Sequence, residues 1–235
     1  MRFRPTFWAT VVFLPVFTLL LGLGTWQVQR LAWKNDLIET RIDRIAATQL
    51  SIRQAKDAGS PAAVEYRPIR LTGTFQPEHR FRVLNRLYEG TQGSHLVVPM
   101  VLAEGQGAIM VDRGWIPRGG LENLSNVLAT PVTINGYVRA YTEPGAFLPP
   151  NEPDGNNWFH MNEPEMLAAA GLSDGVGFYV EVGPGDSLPG TYPVGAVPDV
   201  KLRNSHLEYA VTWYAFAGVL LIIFIVFHWR KTPNE

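Results

Sequence analysis

The chain has 235 residues, of which 46% are hydrophobic and 17% charged, with a net charge of −1 and no cysteine. That charged share lies below the ~25% usual for soluble domains, and the shortfall is concentrated in two runs, which disfavours a soluble cytosolic enzyme. Without cysteine there are no Cys-based zinc sites, iron–sulfur clusters, thiolate nucleophiles or copper-capturing Cys pairs, and the near-neutral balance without a basic cluster gives no footprint for nucleic acid.

In chain order, residues 1–6 are a short N-terminus carrying Arg2 and Arg4. Residues 7–24 form an uncharged run of 18, about 27 Å long as a helix and close to the ~30 Å of a bilayer core. A cleaved secretory signal ending at Gly22-Leu23-Gly24 is the rival reading. The run exceeds the usual apolar stretch of such signals and continues into a helical pattern, so an uncleaved transmembrane helix is expected. Thr18 and Gly22 are spaced as a small pair for helix packing.

Residues 25–208 hold nearly all the charge. Leu31, Ile38, Ile42 and Ile45 recur at helical steps, which predicts helix over 25–50. A β-rich stretch over 64–200 follows. Alternation marks strands over 67–75, 132–141 and 178–182, with a shorter, more buried run over 108–111. Over residues 79–87 it places Phe81, Val83 and Leu87 on one face and Arg80, Arg82 and Arg86 on the other. A short helix is predicted over 163–172, and the Pro/Gly-rich stretches 144–157 and 183–198 are read as loops. Strands at this spacing, without βαβ alternation, favour an antiparallel barrel or sandwich with little helix.

Residues 209–229 make a second span of 21 residues in which only His228 titrates. The tail, 230–235, carries Arg230 and Lys231. Basic residues beside the outer ends of both spans put both termini in the cytoplasm and the long segment outside. With only six residues before the first span, a mitochondrial presequence has no room, so a bacterial inner membrane is expected. A sensor with a cytoplasmic output domain is disfavoured for the same reason. The fold class is therefore two transmembrane helices flanking an extracytoplasmic, mainly antiparallel β domain with minor helices.

No Gly-x-Ser-x-Gly, His-Glu-x-x-His or Gly-x-x-x-x-Gly-Lys motif is present, so no enzyme is expected. Glu152, Asp154 and Asn156 offer oxygens to Ca²⁺, but a solvated loop explains them better. His79 and His95 read as surface or satisfied histidines. Arg113 is expected in a cross-strand ion pair, with contact to a haem propionate as the alternative, and the Arg80/Arg82/Arg86 face is either solvated or a docking surface. His206 stands at the start of the second span, where His206, Ala210, Trp213 and Ala217 share a helical face. An imidazole above small residues and an indole is suited to ligate haem iron, with Ala210 making room. The plain alternative is a polar residue flanking a span. Trp26 and Trp33 either line the same pocket or anchor the helix at the interface.

Four blocks resemble the Surfeit locus protein 1 (Surf1/Shy1) family: Gly24-Thr25-Trp26-Gln27-Val28-Gln29-Arg30 with Trp33-Lys34; Tyr66–Phe75; Arg113-Gly114-Trp115-Ile116-Pro117; and His206–Tyr214. Asp112 stands where the family commonly has Asn, and Ser94-His95-Leu96 also departs from it. The resemblance implies an assembly factor for haem-copper cytochrome c oxidase that delivers haem a to subunit I, and a haem-free scaffold for nascent subunit I as the alternative. It makes His206 the candidate ligand of the haem iron, with Trp213, Trp26 and Trp33 as pocket residues. It names oxidase subunit I, haem A synthase and membrane lipid as partners.

Overall fold

The computed structural model describes residues 2–3, 5–119, 130–184, 192–199 and 204–230. They fall into two compact units, one comprising residues 1–40 with 200–235 and the other residues 41–199.

The first unit is a pair of antiparallel helices, α1 (Phe7–Ala46, whose first 34 residues belong here) and α5 (His206–His228). A short ladder of β1 (Arg2–Phe3) with β10 (Trp229–Arg230) joins their ends. Without water, only structures that satisfy every backbone group internally can cross a bilayer, and both helices are long and apolar enough to do so. Each presents a narrow stripe to the other. On α1 the covered positions Phe13, Phe17, Leu20, Gly24, Gln27 and Leu31 alternate steps of four and three, the spacing of a helix–helix seam. On α5 the stripe is His206, Ala210, Trp213, Ala217, Leu220, Phe224 and His228. Phe13 stacks on Phe224 at 4.1 Å between ring centroids. The remaining faces are exposed and apolar, with Val12, Leu19, Ile222 and Val226 each more than 60% exposed.

The expected small pair Thr18/Gly22 does not pack: both are exposed, and a Cβ on Gly22 would meet nothing within 4 Å. The close approach is two residues further on. A Cβ on Gly24 would lie 2.8 Å from the Tyr214 ring, and the Tyr214 hydroxyl is 3.1 Å from Thr25 Oγ1.

The second unit is built on one sheet in the order β2-β3-β7-β9-β6-β5-β4-β8. Its strands are β2 (Leu50–Ser51), β3 (Pro68–Phe75), β4 (Phe81–Tyr88), β5 (Thr91–Leu102), β6 (Ala108–Pro117), β7 (Pro131–Ala140), β8 (Asn157–Trp158) and β9 (Phe178–Val182). Antiparallel pairings dominate, but β2–β3, β4–β8 and β6–β9 are parallel, so the sheet is mixed. It curls until β3 also meets β5 over three residue pairs, without being a closed barrel. Ser51 caps the short helix α2 (Ile52–Asp57) with a reciprocal capping box to Gln54, and α3 (Pro61–Val64) follows.

Both faces of β5 and β6 are buried. Leu96, Val98 and Met100 enter one core with Leu71, Val111 and Phe178. Val97 and Met110 enter a second core with Phe81, Trp158 and Met166, covered by α4 (Glu163–Ala169). Trp158 is the largest fully buried side chain. It meets Phe81 edge-on at 5.1 Å, and its Nε1–H donates to Asn156 Oδ1 at 3.0 Å. Trp158→Ala is expected to cost about 3–5 kcal/mol through the cavity it leaves, measured as a shift of the denaturant midpoint followed by near-UV circular dichroism.

One local expectation fails at a bulge. Asn85 adopts φ 59°, and the β4–β5 register shifts between Val83 and Arg86. A one-residue shift exchanges the faces of everything after it. Leu87 therefore leaves the side of Phe81 and Val83 and stands 73% exposed, while Arg86 leaves the face of Arg80 and Arg82.

Candidate functional site

His206 is the first residue of α5 and half-buried. Its Nδ1 lies 2.7 Å from Oε1 of Gln27, a side chain only 8% exposed in the seam of α1. An amide oxygen accepts and does not donate, so Nδ1 carries the proton and the Nε2 lone pair remains. Nε2 has no hydrogen-bond partner among the described residues.

His228, at the other end of the same helix, shows what a structural histidine looks like here. It is fully buried, its Nδ1 donates to the Phe224 carbonyl at 2.8 Å, and its Nε2 is 3.0 Å from Thr6 Oγ1. Both ring nitrogens are satisfied. His206 has one nitrogen oriented by a neighbour and one left over, which is how a metal-binding imidazole is held.

Trp213 lies on the same stripe, half-buried, with Phe216 edge-on at 6.2 Å. Ala210 and Ala217 are each 2% exposed. Both are covered within the seam of the two helices. Trp26 and Trp33 are 54% and 50% exposed and lie outside the seam, with the Arg30 guanidinium 3.9 Å over the Trp33 ring. The structure thus brings His206 and Trp213 onto one stripe and leaves Trp26 and Trp33 beside it. Sequence reasoning did not single out Gln27. Its signal was a polar residue at a seam position of an otherwise apolar helix.

A second cluster lies in the β unit, around a cavity of about 320 Å³ lined by Tyr88, His95, Asp112, Trp115, Arg139 and Glu181. His95 Nδ1 is 2.7 Å from Asp112 Oδ2, and Asp112 Oδ1 accepts the Gly114 N–H at 2.9 Å. Arg139 donates to both Glu181 oxygens at 2.8 Å and reaches Glu65 at 3.6 Å. One pair ties β5 to β6 and the other ties β7 to β9, side by side around the cavity. Burial alone would lower the His95 pKa, but the Asp112 charge and hydrogen bond outweigh it and hold it above the usual 6.5. Burial raises the Glu181 carboxyl against the pull of Arg139.

A histidine raised in the fold contributes stability that is full below its ordinary pKa and is lost as pH rises through the higher folded value. The melting temperature should therefore fall as pH rises above the ordinary 6.5 and through the higher folded value, and His95→Gln should flatten that slope. Thermal melts of both proteins across that range check this.

The segment Arg113–Pro117 owes its form to this region. Arg113 is the extra residue of a β6 bulge opposite Leu96 and Val97. Gly114 has φ 115° and passes against the Val194 carbonyl. Trp115 is buried between Tyr88 and Tyr192 and exchanges two backbone hydrogen bonds of 2.9 Å with Val194. Glu152 and Asn156 spend their oxygens locally, on Asn157 Nδ2 and Trp158 Nε1. Among the described residues no three His, Asp or Glu side chains are grouped to hold a metal ion.

These elements coincide with a known family. The SURF1 family model matches residues 14–218, a range that includes Gln27, Arg113–Pro117 and His206. The chain belongs to the SURF1 family. Surfeit locus protein 1 of Mus musculus is 28% identical over 243 residues, covering 94% of this chain and 78% of that protein. The Homo sapiens Surfeit locus protein 1 is 28% identical over 231 residues, covering 91% and 75%. A SURF1-like protein of Monosiga brevicollis is 27% identical over 242 residues, covering 97% and 89%. The matches span the helix pair and the β unit alike, so the SURF1 assignment applies to the whole architecture and not to one motif.

Proposed function

We propose that this SURF1-family chain is a non-enzymatic, membrane-anchored assembly factor for haem-copper cytochrome c oxidase, which takes haem a as cargo and passes it to subunit I. The observation that carries the reading is the His206–Gln27 hydrogen bond, which leaves Nε2 with a lone pair at the end of a helix pair suited to a bilayer. Neutral imidazole with its other nitrogen fixed is a common iron ligand in haem proteins. Trp213 supplies an apolar wall on the same stripe, and Trp26 and Trp33 offer further aromatic surface beside it. The ring is held by one neutral amide and not by a carboxylate.

Haem a contributes the iron and the flat apolar macrocycle. The chain's own part is to present Nε2, to hold its tautomer, and to keep apolar surface next to it. Charge beside the two spans supports both termini facing the cytoplasm, with the β unit outside. Haem A synthase, as the enzyme that makes the cargo, is a further partner in this reading.

The large β unit supports a second activity: gripping nascent subunit I. The test is complementation of an oxidase-deficient deletion strain. His206→Ala should leave subunit I present in membranes but with the haem a absorbance of the oxidase reduced several-fold. Full haem content in that strain would reduce the function to the haem-free scaffold.

A further inference from the structure

Three arginines on one face of the sheet have no counter-ion among the described residues. Arg80 immediately precedes β4 and Arg82 is its second residue, and Arg113 bulges from β6 across Leu96, the residue that faces Arg82 on β5. All three are partly buried, and Arg80 Nε, Arg82 Nε and Arg113 Nη1 are shielded from solvent with no hydrogen-bond acceptor among the described residues. Among the described residues Arg113 makes no cross-strand ion pair, and its guanidinium lies 5.6 Å over the Phe75 ring. Among the described residues, Asp112 pairs with His95, Glu181 and Glu65 with Arg139, and Glu104 with Arg53, so none of these acids serves the three arginines. Burial first, and the nearby Arg80 charge second, lower the pKa of Arg113, the mark of cations facing cations. Beside Arg82 opens a cavity of about 530 Å³, walled by Leu84, Ser94, Ile116, Asn157 and the exposed Arg118.

Buried guanidinium donors without acceptors are costly. A folded domain that keeps several together is built to receive an acceptor. We propose that Arg80, Arg82 and Arg113, with the adjoining cavity, form a binding site for a phosphate-type oxyanion. Guanidinium forks match tetrahedral oxyanions with paired hydrogen bonds, and a dianion offsets two of the charges while its oxygens meet the orphaned donors. A monoester phosphate free in solution and the phosphodiester headgroup of an anionic lipid share this chemistry. The site is independent of the His206 reading.

The test uses the full chain in neutral detergent at constant ionic strength, with inorganic phosphate as the probe and calorimetry as the readout. Saturable binding is expected in wild type, weakened at least about tenfold in Arg82→Gln and in Arg113→Gln, and unchanged in Arg53→Gln, whose charge pairs with Glu104 at the surface. In phosphate-free buffer the first two variants should melt no lower than wild type, since each relieves repulsion. A second arm compares nanodiscs of phosphatidylcholine alone with nanodiscs containing phosphatidylglycerol. If phosphatidylglycerol raises the wild-type melting temperature and blocks phosphate, the ligand is a headgroup; if phosphate binds equally in both, it is the free anion. The proposal is overturned if wild type shows neither saturable phosphate binding nor a phosphatidylglycerol effect. It is equally overturned if Arg82→Gln and Arg113→Gln bind as wild type does.

Discussion

Gly114→Ala is expected to destabilise the β unit by about 3–5 kcal/mol, a large part of the ~5–15 kcal/mol that holds a domain folded. Two effects add. The backbone at 114 has φ 115°, where an L side chain costs ~1–3 kcal/mol. The new Cβ would also lie 2.0 Å from the Val194 carbonyl oxygen, so the strand and the passing segment must separate. That breaks the paired hydrogen bonds between Trp115 and Val194, worth ~1 kcal/mol each. Gly90→Ala is the control: φ is 78°, but nothing lies within 4 Å of its Cβ, so only the backbone strain remains. Urea titrations of the two variants should separate them by at least ~2 kcal/mol; equal midpoints would mean that the Val194 contact does not constrain Gly114.

Gln27→Leu is expected to lower the affinity for haem a by about 10–100-fold, the range found when the group orienting a metal-bound histidine is lost. The substitution keeps a side chain of similar length at a covered seam position, so the helix pair has no new cavity to absorb. What it removes is the acceptor for Nδ1–H. The proton is then free to sit on either nitrogen, and in one tautomer Nε2 has no lone pair for iron. Gln27→Asn shortens the reach by one methylene and should give an intermediate loss. Haem a titrations of detergent-purified wild type and both variants measure this. Affinities equal to wild type would show that Gln27 plays no part in presenting His206.

Much of the fold was legible in the sequence because its signals were local. The uncharged runs marked both long apolar helices, and alternation located β3, β7 and β9 to within a residue or so. Alternation gave β5 no range, although it is the longest strand among the described residues. Leu96–Met100 is covered on both sides, so it reads as a continuous apolar run without alternation. The bulge at Asn85 was equally silent: one residue in a left-handed conformation reverses the faces of Arg86 and Leu87, and nothing in the side-chain pattern announces it.

The candidate site divided along the same line. His206 could be picked out because a histidine beside a small-residue stripe is conspicuous at the start of a span. Gln27 sits 179 positions away, and no local pattern links the two. His95 looked unaccompanied because its partner, Asp112, lies on the next strand, brought opposite by register and by the bulge at Arg113. Partners across helices and strands are properties of packing, which a reading of neighbours along the chain does not reach.

The most direct test of the central reading is an absorption spectrum of the full chain, purified in detergent from a host that makes haem A, beside His206→Ala prepared in the same way. The account predicts a near-stoichiometric haem a spectrum in wild type that is lost in the variant. Haem a retained in full by His206→Ala, or absent from both while subunit I still co-purifies, would contradict it.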